Sequence, residues 1–371
     1  MLKLGAVDVA DMKDADCQPF VAYLQQNARS PIEYVVDKFN SHDVVILGEI
    51  HEVRENCEFI SDLMEPLHRR AHVGYFAMEA IKYKNSDLAN QLVTGQQWDE
   101  ELALRIFRDC AWPTWGFREY VAILRSIWEV NQHASSQAEQ LKVIGLDTDW
   151  DAYALQCGSA SEKDKAMAIV KRRDREMAEF VAREVLDKGA KALVQIGYNH
   201  SFTHYRQPAV EQGRFVGELP PRFGYILREE YGDRVFQVCL HKPHFSPEVA
   251  TGGTASVRPV LGGLMEKVFE SNGNTPAGFD VHNSPFAHLR DKASYYFAFQ
   301  DYAVFSDIAR GYVFLKPVSA LGKITWIRGF IDNSNFEKAR AISLSRGWIT
   351  PEECSTAEEL DERLRSLFEC P

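Results

Sequence analysis

Two histidines and three acids stand where short apolar runs of this chain end. Glu49 and His51 close the stretch Val44-Val45-Ile46-Leu47-Gly48-Glu49-Ile50-His51, and Glu79 follows the run Val73 to Met78. Asp147 follows Leu141 to Leu146, and His200 follows Ala192 to Ile196 through Gly197-Tyr198-Asn199. Imidazoles and carboxylates grouped in this way can hold a divalent transition metal that activates water. Without metal, one histidine can take a proton from water while a carboxylate orients its ring. The competing reading makes Glu49 a helix cap and His51 a packing residue. No H-E-x-x-H, G-x-S-x-G or G-x-x-x-x-G-K-[ST] occurs, which withdraws support from zincin peptidases, serine α/β-hydrolases and P-loop enzymes.

The elements that must position these groups are short, β-branched apolar runs bounded by glycine, the pattern of strands buried on both faces of a parallel sheet. Ligands of open α/β sheets bind outside the carboxyl ends of the strands. After His51, the positions Val53, Cys57, Ile60, Met64 and Leu67 recur at helical spacing before Val73 to Met78, a βαβ unit with an expected right-handed crossover. Further strands are expected at Arg234 to Leu240 and Gly311 to Leu315. Further helices are expected at Pro19 to Asn27, from Pro31, at Gly263 to Glu270, and from Thr350-Pro351 to Phe368. The expected fold is α/β, a mainly parallel central sheet with helices on both faces, forming a single domain over residues 1–371. A helical insertion at about 85–132, interrupted at Pro113, is expected over the carboxyl edge as a lid. A C-terminal segment at about 250–371 is expected to complete or cover the core, with Gly252-Gly253 in a mobile connection.

The helix expected from about Glu162 to Lys188, closed by Gly189, carries an apolar stripe through Val170, Met177, Val181 and Val185. Asp174 falls on that stripe. A carboxylate facing a core is costly unless paired, so the pattern predicts an arginine or a histidine as its partner; the competing reading is a slight rotation of the helix that exposes Asp174 beside Arg172 and Arg173.

Hydrophobic residues make up 45% of the 371 and charged residues 26%, ordinary proportions for a soluble globular protein. The formal net charge of -11 argues against a nucleic-acid partner. There is no apolar run long enough for a membrane span and no secretory signal at Met1-Leu2-Lys3-Leu4, which soon meets Asp8, Asp11 and Asp14. The seven cysteines are scattered without a C-x-x-C pair, the usage of a reducing, cytoplasmic compartment.

Taken in order, Gly48-Glu49-Ile50-His51, Met78-Glu79 and Gly197-Tyr198-Asn199-His200 resemble the superfamily that joins the erythromycin esterases, the ChaN-like haem-binding proteins and the TIKI metalloproteases. Trp115 through Glu119 to Asn131, Gly145-Leu146-Asp147 and the Arg173-Asp174-Arg175-Glu176-Met177-Ala178 segment are similar to the esterase branch. The spacing of one residue between Glu49 and His51 is instead that of the ChaN and TIKI branches, and the bulky Tyr198-Asn199 pair departs from the small residues common there. The resemblance implies a hydrolase of ester or amide bonds in a small-molecule or peptide substrate. His51 would be general base or metal ligand, Glu49 and Glu79 its supports, and His200 its partner. Asp147, Asp174, Tyr198 and His204 would lie in the binding or surrounding shell. If a metal is bound, Glu49, His51 and His200 would hold it. The alternative implied is a protein that binds haem or iron without catalysis, with Tyr198, His200 and His204 as iron ligands.

Overall fold

The computed structural model describes residues 5–12, 17–251 and 256–369. Asp14, Cys370, the first four residues and the expected Gly252-Gly253 connection lie outside them. Seven strands form the central sheet: β1 (Val44–Glu49), β2 (Tyr75–Lys82), β3 (Lys142–Asp147), β4 (Ala192–Gly197), β5 (Val235–Leu240), β6 (Ala277–Asp280) and β7 (Gly311–Phe314). Their order across the sheet is β6-β7-β5-β1-β4-β2-β3. β2 runs parallel to β3 and β4, and β5 runs parallel to β1 and β7; β6 is antiparallel to β7. The fold is therefore α/β, with a mainly parallel sheet and helices packed around it. β1, β4 and β5 are buried at every residue, as near-continuous apolar runs require.

The chain is organised as two compact units. One comprises residues 1–51 and 196–321, the other residues 52–195 and 322–371. The stretch expected to complete the core from about residue 250 is thus shared between them.

In the second unit, α1 (Arg54–Ala71), α2 (Ser86–Thr94) and α3 (Arg118–Asn131) flank β2 and β3. The 85–132 insertion has a structural task legible in its hydrogen bonds. β3 ends the sheet, and an open strand edge exposes unpaired N–H and C=O groups. Asn90 on α2 meets both backbone groups of Val143, at 2.8 and 2.9 Å, and Asn131 on α3 does the same for Leu141 at 2.9 and 2.7 Å. Ser86 Oγ accepts from Gly145 N at 2.9 Å. The insertion also reaches the carboxyl side of β2, where Asp109 lies within ion-pair distance of Lys82. Trp115, Phe117 and Tyr120 form a mutually packed aromatic cluster.

Several boundaries differ from the sequence reading. β2 continues past Glu79 to Lys82, with a register irregularity against β3 after Met78. The long helix α4 starts at Ala160 because Ser159 and Glu162 form a reciprocal capping box. The C-terminal helix starts at Ala357, not Thr350, since Glu359 collects the backbone N–H groups of Ser355 and Thr356 while Glu353 folds back onto Thr350 N. A hairpin of Pro208–Glu211 with Arg214–Glu218, the helices Phe223–Tyr231 and Phe336–Ser345, and β6 are further elements.

Candidate functional site

In the first unit, Glu49 is the last residue of β1 and its side chain is 1% exposed, whereas that of His51 is 37% exposed. Glu49 Oε1 lies 3.1 Å from His51 Nδ1. An anionic carboxylate accepts from Nδ1–H, which fixes the tautomer and leaves Nε2 with its lone pair. The pair is thus a buried carboxylate beside a partly exposed imidazole.

The second glycine-to-histidine motif folds as a single helical turn, Tyr198–Ser201, packed against β1. Gly48 makes this possible: a Cβ there would overlap Ser201 Oγ and Cβ. Ser201 is further fixed by its bond to Tyr198 O at 2.7 Å, and Asn199 Oδ1 accepts from Tyr296 OH at 2.9 Å. The half-buried His200 is carried between these two anchored neighbours. Gly48→Ala is expected to destabilise the fold by about 1–3 kcal/mol, the usual cost of overpacking. Ser201→Gly in the same chain should recover part of the loss in urea denaturation, and a neutral Gly48→Ala would show that the approach is not limiting.

Tyr198 is buried among Phe202, His244 and Tyr296. Burial, then the neighbouring Cys239, Tyr296 and Tyr312, holds its phenol well above the usual range. His204 is exposed beside Thr203 Oγ1. His241, following β5, is buried between Tyr312 OH at 2.6 Å and Glu266 Oε1 at 2.9 Å. His244 is buried beside Ser294, its pKa pushed well below the ordinary value by burial and then by Lys242 and His241.

In the second unit, Glu79 and Asp147 meet on one guanidinium. Arg173 Nη2 donates to Glu79 Oε1 at 2.5 Å and its Nε to Asp147 Oδ1 at 2.6 Å. Trp150 Nε1 and Thr148 N donate to Asp147 at 2.9 and 2.8 Å, and the guanidinium lies 5.7 Å from the Trp150 ring centre. Burial alone would lower the arginine pKa, but the two carboxylates hold it above its ordinary range. The residue of α4 that enters the interior is therefore Arg173, while Asp174 is half-buried. Among the described residues no three His, Cys, Asp or Glu side chains converge into a metal-holding group, so no step through a metal is derived.

Arg173 was not singled out as a site residue by the spacing, nor was Lys242. The signal for Arg173 was its place one residue before Asp174 on a helix that follows an acid-ended strand; Lys242 has no comparable signal.

No known protein family and no curated protein matches the sequence. Solved structures do match the fold. A Bacillus cereus protein of structural-genomics origin is 10% identical, covers 80% of this chain and 97% of its own, and gives a TM-score of 0.52. The erythromycin esterase EreC, as a mutant in its open conformation, is 13% identical with coverages of 76% and 92% and a TM-score of 0.51. A protein described as a succinoglycan biosynthesis protein is 14% identical with coverages of 74% and 88% and a TM-score of 0.50. The likeness is one of fold: this chain shares its α/β architecture with these three structures, the erythromycin esterase EreC among them.

Proposed function

We propose that this protein hydrolyses an ester or amide bond in a small-molecule or peptide substrate, with His51 as general base. The observation that carries the reading is the Glu49–His51 pair, in which a buried carboxylate oxygen lies 3.1 Å from Nδ1 of a partly exposed ring, the arrangement that lets the other ring nitrogen serve as a base. His51 takes the proton as oxygen attacks the carbonyl carbon, and Glu49 stabilises the resulting imidazolium. His200, on the turn that packs against the same strand, assists the developing oxyanion or the leaving group. Glu79 and Asp147 act at a remove, by fixing Arg173 and the strand ends that bear them. The fold shared with EreC is consistent with acyl hydrolysis but does not select the substrate.

The test is turnover of p-nitrophenyl esters and a lactone panel by the full chain and by His51→Ala. A general base is worth about 10²- to 10⁴-fold, so a loss of that size with an unchanged circular-dichroism spectrum is expected. Undiminished hydrolysis by folded His51→Ala would overturn the mechanism.

A further inference from the structure

The proposed mechanism leaves unused the most unusual cation of the first unit. Lys242 leaves β5 two residues after Leu240, as His51 leaves β1 two residues after Glu49, and these parallel strands set Gly48 opposite Cys239. Lys242 and His51 therefore depart from neighbouring strands at the same level. Lys242 is 2% exposed, a rare place for a lysine, since buried charges are normally paired. No carboxylate lies within ion-pair distance of it among the described residues; its polar contact is Pro243 O, at 3.1 Å. What it has instead is aromatic. Nζ stands 3.9 Å from the ring centre of Tyr198, 5.3 Å from that of Phe245 and 5.5 Å from that of Tyr296.

Tyr198 opens the turn that carries His200, and Tyr296 also binds Asn199 of that turn through its hydroxyl. The ammonium thus stands over both rings that fix the turn. Cation–π contacts strengthen when desolvated, so this one acts where it counts, in the interior. A methionine would fill the same space without the cost of burying charge, which makes the retained charge the feature to explain.

Resting on the hydrolase reading above, we propose that Lys242 is a positioning residue: its ammonium, stacked on Tyr198, holds the Tyr198–Ser201 turn in the geometry that presents His200. Tyr198 is then the platform that the lysine requires. Burial lowers the lysine pKa to about 7, so the contact is strongest on the acid side of neutrality. The groups facing Nζ are Cys239 from β5, Tyr198 from the turn, Tyr296 from the Tyr295–Ala298 helix, and His244 from its own loop, which His241 faces in turn.

The experiment compares the full chain with Lys242→Met, Lys242→Arg and Tyr198→Leu at pH 6. Amide hydrogen exchange at residues 198–201 should accelerate about 10-fold or more in Lys242→Met and Tyr198→Leu, while exchange in α1 and α3 stays unchanged. The melting temperature of Lys242→Met should hold or rise, which a lysine serving only to stabilise the fold would not allow. On p-nitrophenyl esters, kcat should fall about 10- to 100-fold with KM preserved, the size of a small misplacement of a reacting group. Lys242→Arg, which keeps a cation over the ring, should recover part of it. Unchanged exchange at 198–201 in Lys242→Met, or a fall in melting temperature with exchange accelerated throughout, would overturn the proposal. Local acceleration in a chain that hydrolyses no ester would retain the positioning role and remove the hydrolase reading instead.

Discussion

Replacing Arg173 by methionine is expected to cost about 3–5 kcal/mol of stability, the loss usual when one partner of a buried ionic group is removed. Glu79 and Asp147 are 9% and 4% exposed, and both bond the same guanidinium. Without it, two carboxylates face each other in a poorly solvated space, and each opposes ionisation of the other. The damage should therefore depend on pH. With their pKa values raised in the variant's folded state, the carboxylates hold protons that the unfolded chain has released, so the variant loses stability as pH rises above about 4, the ordinary carboxylate value. Urea denaturation of both chains at pH 4.5 and pH 7 checks this: the deficit should be smaller at pH 4.5. A second chain, Glu79→Gln with Asp147→Asn and Arg173→Met, separates charge from packing. It should regain much of the loss, because removing a whole buried ionic group is far less costly than removing half of it. A deficit equal in both chains and at both pH values would mean that packing of the arginine stem, not its charge, is what matters.

The placement of this arginine also shows where sequence reading succeeds and fails. Buried parallel strands are nearly unbroken apolar runs, so β1, β3 and β4, and the polar residues that end or follow them, can be read directly. The core-facing side of α4 is harder. Its buried residues are Ala166, Arg173, Met177, Ala178, Val181 and Ala182, so three small alanines share the face with the larger side chains. A stripe drawn through valine and methionine alone gives Ala178 and Ala182 no weight, and it turned the helix about one residue, exchanging Asp174 for Arg173. Arginine can also reach inward along its apolar stem, which a scale that scores it as polar does not represent. Lys242 was hidden for a different reason. Its burial is imposed by Tyr198, Phe245 and Tyr296, two of them far away in sequence. β6, with the sequence Ala-Gly-Phe-Asp, has little intrinsic strand preference and is held by pairing with β7; Gly278 is required there because a Cβ would strike the Tyr34 ring. The insertion was legible as helices, but not as the cover for an open strand edge, since single asparagines at 90 and 131 give no periodic signal.

Between pH 7 and 9 the stability of the wild-type chain should rise by about 2 kcal/mol from Lys242 alone, and Lys242→Met should lack this rise. The lysine pKa falls from 10.5 in the unfolded chain to about 7 in the folded one, chiefly through burial, with Cys239 opposing. In that window the unfolded chain stays protonated while the folded chain releases its proton. The unfolded state then binds more protons, and stability increases with pH. Taken over its whole range, at about 1.4 kcal/mol for each pH unit, the penalty approaches about 5 kcal/mol below pH 7 and vanishes above pH 10.5. The upper part is masked. Cys239 and Cys110 are buried with thiols pushed up to about 12, and Tyr198, Tyr296 and Tyr312 lie well above their usual value. Those groups stay protonated in the fold after the unfolded chain has ionised, so the thiols subtract stability from about pH 8 upward and the phenols from about pH 9. His244, held low by burial, acts mainly below about pH 7. Both chains share those thiols and phenols, so the difference between them from about pH 7 to 9 isolates the lysine. Equilibrium urea unfolding of both chains at pH 7, 8 and 9 is the measurement, and the quantity read is the difference in slope. Parallel slopes would mean that the folded lysine keeps its proton across this range, leaving its ammonium as firmly charged at pH 9 as at pH 7.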